Sequence, residues 1–245
     1  MIVLSDIHAN LEALEAVLAD IRATGAQGPL IFLGDMVGYG ADPEAVVRRV
    51  RSLGALAVQG NHEAGVCDGG RAKRFNPVAW DVVCWTRERL SAESREWLAG
   101  LPRFLSLDGC RLVHGMPPQS VDKYLVQAEE PEIRAIMENL EEPVSFVGHT
   151  HLLRLVSLGP GGEYSNKRLD CGGRVLDSGS RHLVNCGAVG QPRDGDTHAK
   201  YVVYDPRTRE LDVRFVAYDA LCAARKIIAA GLPAVYAERL TDEPL

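Results

Sequence analysis

The chain has 245 residues and a formal net charge of −6, and its hydrophobic (46%) and charged (24%) residues are in the proportions of one globular domain. The acidic balance argues against a nucleic-acid polymer as the main partner, because binding to a phosphate backbone requires a basic surface. A membrane partner is not expected either, since no apolar stretch approaches the roughly 18 residues of a membrane span.

The first sixty residues alternate between short apolar runs and helical patterns. Buried strands are predicted at Ile2–Leu4, 30–33 and 55–58, and the helices between them at 11–23 and 43–53. Asn10 is a good N-cap for the first helix, and Gly25 ends that helix. This βαβαβ alternation predicts a parallel sheet with crossover helices.

The later part of the chain is richer in predicted strands. The stretch 64–75 is polar and glycine-rich, and is predicted to be a loop near the functional site. Helices are predicted at 78–90, 92–98, 132–140 and 220–230, a hairpin at 104–113, and strands at 144–147, 152–158, 174–176, 182–185, 201–204 and 211–216. Two facing sheets flanked by helices, within a single domain over 1–245, are the simplest interpretation of this order.

The six cysteines are scattered and form no C-x-x-C pair. A chain of this length has no need of disulfides, so we expect free thiols in a reducing compartment. Met1–Leu4 is too short for the apolar region of a signal sequence. These features predict a cytoplasmic protein.

Five short blocks of His, Asp and Asn each follow a predicted strand. They read Ser5-Asp6-Ile7-His8, Gly34-Asp35, Gly60-Asn61-His62-Glu63, His114-Gly115 and Gly148-His149-Thr150-His151. Strand C-termini of an open α/β sheet converge on one edge, so these side chains are expected to share one site. The pairs Asp6/His8 and His149/His151 are two residues apart and are expected to point the same way from extended backbone.

The donor types indicate a hydrolase with two metal ions. Carboxylate, imidazole and amide groups without thiolate suit Mn²⁺, Fe, Zn²⁺ or Ni²⁺. Seven ligands are too many for one open catalytic metal but suit two ions roughly 3.5–4 Å apart that share a carboxylate and a water. Each block alone is more often a strand-end turn or a hydrogen-bonded core histidine. Their joint occurrence favours a positively charged site that attracts a phosphate ester.

The five blocks resemble the signature of the calcineurin-like metallophosphoesterase superfamily, D-x-H, G-D, G-N-H-E/D, H and G-H-x-H. The stretches SDIHAN, GDMVGYG and NCGAVGQPRDGD resemble small bacterial phosphodiesterase-like members. The resemblance covers roughly residues 1–216. It implies an α/β fold, a four-layer αββα sandwich of two mixed β-sheets flanked by helices.

The resemblance also implies a role for each residue of the blocks. One metal ion would be held by Asp6, His8, Asp35 and His151, and the other by Asp35, Asn61, His114 and His149. Asp35 would bridge two divalent ions, with Mn²⁺ as the first expectation. A hydroxide between the ions would attack phosphorus, and His62 would stand by the leaving group as a proton donor or phosphate-oxygen partner.

The chain departs from the G-D-x-x-D-R-G pattern of protein phosphatases and symmetric dinucleoside tetraphosphate hydrolases. Gly38 replaces the Asp that would orient the catalytic histidine, and Tyr39 replaces the Arg that would clamp phosphate. A phenol cannot replace a bidentate Arg, so both activities are disfavoured. Arg193 is the candidate substitute, with a solvated surface turn as the alternative. Gln191, Tyr39 and Lys73 are weaker candidates for substrate binding.

The sequence therefore predicts hydrolysis of a small nucleotide-type phosphodiester. A diester is favoured over a monoester because it carries one negative charge and needs less clamping. Phosphomonoester and dinucleoside polyphosphate hydrolysis are the enzyme alternatives. A metal-binding regulatory protein on the same fold is the non-enzyme alternative, and a homo-oligomer is left open. A nuclease acting on long DNA or RNA is opposed by the acidic balance.

Overall fold

Two six-stranded β-sheets face one another in the computed structural model, which describes residues 1–241. In spatial order the first sheet holds β3 (Leu56–Ala57), β2 (Leu30–Phe32), β1 (Ile2–Leu4), β11 (Ala199–Asp205), β12 (Glu210–Val216) and β9 (Gly172–Val175). The second holds β4 (Phe104–Leu107), β5 (Cys110–Val113), β6 (Val144–Val147), β10 (Arg181–Cys186), β7 (Leu153–Leu158) and β8 (Tyr164–Arg168). Both sheets mix parallel and antiparallel pairs.

Eight α-helices connect and cover the strands within residues 1–241. They are α1 (Leu11–Thr24), α2 (Pro43–Ser52), α3 (Asn61–Cys67), α4 (Pro77–Arg89), α5 (Ala92–Ala99), α6 (Glu130–Asn139), α7 (Ala220–Ala229) and α8 (Ala234–Glu238). Asn10 caps α1 by accepting a hydrogen bond from the Ala13 N–H, and Gly25 ends it in the left-handed conformation. Both are the residues that the sequence indicated.

Each sheet is buried on both faces, which explains why its central strands read as continuous apolar runs. Val3 of β1 belongs to the core between the sheets, together with Phe146 of β6. The flanking Ile2 and Leu4 belong to the core between the first sheet and α1 and α2. On the far side, Ile133 of α6 packs in the core that covers the second sheet. The layers are helix, sheet, sheet and helix, which confirms the predicted four-layer αββα sandwich.

Several elements differ from the sequence prediction. The predicted loop 64–75 is wrong: α3 ends at Cys67 and a 3-10 helix spans Gly69–Arg74, because burial of α3 against α4 and α5 overrides its weak helical pattern. Strand β8 is a polar edge strand held by backbone pairing with β7, so it lacks apolar alternation. The short helix α8 has too few residues to show a period.

No helix within residues 1–241 has the length and apolar character needed to cross a bilayer. All six cysteines are free thiols. A single domain over 1–245 stays a prediction, and its last four residues lie outside the described part of the chain.

Candidate metal centre

Seven side chains from the five sequence blocks converge where strand ends of the two sheets meet. Asp6 and His8 follow β1, Asp35 follows β2, Asn61 follows β3, His114 follows β5, and His149 and His151 follow β6. None of the seven is more than 8% exposed. The convergence brings polar groups from both sheets into one buried space.

The backbone is left-handed at five of the seven residues, including both i, i+2 pairs, so the expected extended backbone of these pairs is wrong. The φ angles of Asp6 and His8 are 56° and 48°, and those of His149 and His151 are 67° and 61°. A non-glycine residue in this region costs on the order of 1 kcal/mol or more. Neighbouring segments hold the strain in place; for example, the Gly190 N–H donates to the Asp6 carbonyl at 2.9 Å.

The first group of donor atoms contains Asp6, His8 and His151. The Nε2 atoms of His8 and His151 lie 3.1 Å apart. Asp6 Oδ1 lies 3.2 Å from His151 Nε2 and 3.7 Å from His8 Nε2. Atoms at these separations can share one ion at roughly 2.1 Å from each.

The second group contains Asn61, His114 and His149. His114 Nε2 lies 3.2 Å from Asn61 Oδ1 and 3.1 Å from His149 Nδ1. Asp35 stands between the two groups, because its Oδ2 lies 3.2 Å from His114 Nε2 and 3.7 Å from His8 Nε2. The same carboxylate can therefore reach an ion in either group.

The outer nitrogen of each histidine faces a backbone carbonyl. The pairs are His8 Nδ1 with Val37 O (3.1 Å), His114 Nδ1 with Leu33 O (2.8 Å), His149 Nε2 with Asp122 O (3.1 Å) and His151 Nδ1 with Gln191 O (2.5 Å). A nitrogen facing a carbonyl must carry the proton, so the inner nitrogen of a neutral ring presents a lone pair. These lone pairs converge, and the buried Asp6 Oδ1 has no hydrogen-bond partner. This donor set fits divalent cations.

The electrostatics keep two of the histidines neutral and favour a cation beside Asp35. Burial lowers the pKa of His149 to about 3 and that of His151 to about 4. Burial opposes ionisation of Asp35, but the adjacent His114 and His62 outweigh it and hold the carboxyl pKa well below its usual range. Burial likewise opposes a proton on His114, yet Asp35 raises its pKa to about 9. A cation bound at Asp35 would compensate the buried carboxylate charge, as the proton on His114 does.

His62 lies beside the donor groups, and one of its ring nitrogens lies within 4.8 Å of Asp35 and His8 donor atoms. Its ring is 2% exposed, packs edge-on against Tyr39 and Phe75, and has no hydrogen-bond partner at Nδ1. A Cβ atom added at Gly38, where φ is +90°, would lie 2.1 Å from this Nδ1. Gly38, which stands where related phosphatases have an Asp, is therefore in direct contact with His62. The His62 ring is oriented by aromatic packing.

Glu63 supports the centre, although the sequence analysis gave it no role. This carboxylate is fully buried, and its two oxygens accept four backbone N–H groups, from Asp35, Met36, Val37 and Gly60, at 2.7–3.2 Å. It ties the Asp35 turn to the start of α3. The signal in the sequence was a Glu at the third position of a helix, where it can accept from the N-cap N–H.

Glu63→Gln is expected to destabilise the fold by roughly 2–6 kcal/mol, because an amide NH₂ would face two N–H donors and leave both unpaired. Urea denaturation followed by circular dichroism measures this change. Glu138→Gln on the exposed face of α6 is the matched control. Equal unfolding free energies for the two variants would contradict the supporting role of Glu63.

The suggested substrate-binding residues lie in different environments. Tyr39 is 8% exposed and packs against His8 and Tyr236, with both ring-centroid distances at 4.5 Å. Arg193 is exposed, and its guanidinium carbon lies 5.7 Å from the Tyr39 ring centroid. Gln191 is buried and donates to the Tyr236 carbonyl at 3.3 Å. Lys73 is exposed on the 3-10 helix.

A buried ion pair anchors the turn that carries Arg193. Lys200 is fully buried, and its Nζ donates to Asp194 Oδ1 at 2.9 Å and to the Asp196 carbonyl at 2.7 Å. The buried ion pair therefore holds the turn in place and sets the position of Arg193 beside Tyr39.

This chain has an αββα sandwich with a buried cluster of His and Asp at its strand ends, an arrangement typical of metallophosphoesterases. The family model described as the calcineurin-like phosphoesterase superfamily domain matches residues 1–209, and the chain belongs to this superfamily.

Two relatives match over nearly the whole chain, and a third matches about half of it. An uncharacterized protein of Methanocaldococcus jannaschii is 35% identical over 243 residues, which are 97% of this chain and 96% of that protein. A metallophosphoesterase structure from Sphaerobacter thermophilus is 34% identical, with a TM-score of 0.81 and coverage of 98% and 96%. A symmetrical bis(5'-nucleosyl)-tetraphosphatase of Janthinobacterium is 32% identical over 123 residues, which are 47% of this chain and 43% of that enzyme.

Proposed function

We propose that this chain is a two-metal phosphoesterase that hydrolyses a small, nucleotide-type phosphodiester. The observation that carries the proposal is the convergence of inner histidine nitrogens and aspartate oxygens while every outer nitrogen is committed to a carbonyl. Asp6, His8, Asp35 and His151 would hold one ion, and Asp35, Asn61, His114 and His149 the other. Mn²⁺ is the first candidate, and Fe, Zn²⁺ and Ni²⁺ suit the same ligands.

Bound divalent ions would polarise the phosphate oxygens and lower the pKa of a water molecule, which supplies a nucleophile near neutral pH. The chain's own residues fix where this chemistry takes place. Asp35 Oδ1 accepts the His62 backbone N–H at 2.9 Å, so the bridging carboxylate and the start of α3 are held together. His62 therefore stays within reach of the substrate and assists departure of the leaving group.

A diester is favoured by the state of Tyr39. This ring occupies the position of the phosphate-clamping Arg, and it is packed on both sides by other rings. Burial raises its pKa, so the phenol stays neutral. Arg193 is then the nearest candidate cation, and one guanidinium matches the single charge of a diester better than a dianionic monoester.

Hydrolysis of a dinucleoside polyphosphate is the second candidate. The observation that favours it is a second arginine, Arg239, on the wall of the cavity beside Tyr39. A tetraphosphatase that acts on bis(5'-nucleosyl) compounds is also among the partial relatives. Such a substrate is small and phosphorylated. Bound metal ions would supply the local positive charge that this acidic chain lacks. A cytoplasmic location and a homo-oligomeric state stay predictions.

Metal-stripped protein should gain activity when Mn²⁺ is restored, and bis-p-nitrophenyl phosphate should be turned over faster than p-nitrophenyl phosphate. The release of p-nitrophenolate measures both rates. A faster monoester would mean that Arg193 supplies a full clamp and that the enzyme is a phosphatase. No turnover of either ester with Mn²⁺, Fe, Zn²⁺ or Ni²⁺ would contradict the enzyme proposal and favour a metal-binding regulatory protein.

A further inference from the structure

A cavity of about 600 Å³ adjoins the candidate metal centre. Its walls include three tyrosines and two arginines that come from four distant parts of the chain: Tyr39, Tyr124, Tyr236, Arg193 and Arg239. This volume lies within the range of small-molecule sites, roughly 300–1,000 Å³. We call it the tyrosine–arginine pocket.

Two tyrosines join the pocket to both donor groups of the centre. The Tyr39 ring centroid lies 4.5 Å from that of His8, in the first donor group. The Tyr124 ring stacks on His149 of the second group, with centroids 3.6 Å apart. A substrate whose phosphate reaches the centre therefore extends its remaining part into this pocket.

Both arginines bring a positive charge to the wall of the cavity. The Arg193 guanidinium carbon lies 5.7 Å from the Tyr39 ring centroid, and the Arg239 guanidinium carbon lies 5.6 Å from the Tyr236 ring centroid. In residues 1–241 neither guanidinium forms an ion pair with a carboxylate. Many other arginines of this acidic chain do form one, as Arg49 does with Glu15 and Arg214 with Asp20. Two guanidinium groups beside one cavity, neither of them paired with a carboxylate of residues 1–241, favour a phosphate group.

The same pocket has an apolar side. Val78 in the first turn of α4 and Val235 in the first turn of α8 are 47% and 41% exposed, and both line the cavity. Exposed apolar side chains that cluster at a cavity indicate a ligand with an apolar surface. Aromatic rings beside them suit a flat ring system, because each base has a face that stacks.

We propose that the tyrosine–arginine pocket binds the part of a nucleotide substrate that lies next to the hydrolysed phosphate. Arg193 faces the hydrolysed phosphate, Arg239 binds a neighbouring phosphate, and Tyr124 with the two valines surrounds the base. The inference rests on the proposed function, since it describes the part of the substrate that is not hydrolysed. Tyr236 and Arg239 belong to the α8 region, which lies beyond the family match at residues 1–209. The α8 region thus adds one wall to a pocket whose other walls lie within the family match.

Isothermal titration calorimetry tests the pocket without turnover, with equal Mn²⁺ in cell and syringe and with adenosine diphosphate, inorganic pyrophosphate and adenosine as probes. We expect adenosine diphosphate to bind at least tenfold more tightly than either of the other probes, because only it offers both base and phosphates. Arg239→Gln should weaken adenosine diphosphate and pyrophosphate about tenfold each. Tyr124→Leu should weaken adenosine diphosphate about tenfold and leave pyrophosphate unchanged.

Arg225→Gln on the exposed face of α7 removes the same charge and should leave all three affinities unchanged. Thermal melting of each variant identifies misfolding, and Tyr124→Phe, which keeps the ring, should retain tight binding. Adenosine diphosphate that binds no better than pyrophosphate, or affinities within twofold of the parent in both pocket variants, would overturn the inference. Turnover of bis-p-nitrophenyl phosphate is scored separately, so loss of the proposed function and loss of the pocket are distinguishable.

Discussion

Asp35→Asn is expected to lower kcat/KM for bis-p-nitrophenyl phosphate by about 1,000-fold or more and to reduce the bound metal below two ions per chain. The reason is position and charge together. Asp35 Oδ2 lies within 3.7 Å of nitrogens in both donor groups, and the substitution removes one of the two buried aspartate charges that would face bound ions. Electrostatic stabilisation by bound metals is worth several kcal/mol, which corresponds to this loss of rate.

Metal content after equilibration with Mn²⁺, measured by mass spectrometry, and steady-state kinetics check this result. Asp81→Asn on the exposed face of α4 is the matched control, because it removes the same charge far from the strand ends. A variant at Asp35 that kept two ions and turnover within tenfold of the parent would show that Asp35 does not join the two donor groups.

His62→Ala is expected to reduce hydrolysis of a dinucleotide by roughly 100- to 10,000-fold, the usual contribution of a positioned proton donor. The same variant should lose less than tenfold on a nucleoside p-nitrophenyl ester. An alkoxide leaving group needs a proton, whereas p-nitrophenolate leaves without one. The two substrates share the nucleoside, so the comparison isolates the leaving group.

The ratio of the two losses tells the roles of His62 apart. Equal losses on both substrates would mean that the ring contacts a phosphate oxygen and does not assist the leaving group. Phe75→Leu is a useful companion variant, because it loosens the packing around His62 and keeps its nitrogens. Thermal melting shows whether either change disturbs the fold.

The candidate site combines strained backbone with rigid support. Five of its residues adopt positive φ angles, namely Asp6, His8, Asp35, His149 and His151. Buried groups hold this backbone: the Glu63 carboxylate accepts N–H donors around Asp35, and the Gly190 N–H donates to the Asp6 carbonyl. Burial and hydrogen bonding thereby offset the conformational cost of pointing several polar groups at one centre.

The sequence by itself determined the order of strands and helices at the start of the chain, the five polar blocks and the four-layer fold. A strand that is buried on both faces is a continuous apolar run, such as the one at Ile2–Leu4, so it can be recognised from the local sequence. The blocks at their ends were legible for the same reason, because parallel strands share an edge.

Only the tertiary structure decided how the site is held and what surrounds it. The partners that fix the histidine nitrogens, such as Leu33 O for His114 and Gln191 O for His151, are backbone atoms, which carry no sequence signal. The contact between Tyr39 and Tyr236 joins residues almost two hundred positions apart. Such contacts arise from packing of whole layers, so no local pattern encodes them, and the pocket beside the centre became visible only in three dimensions.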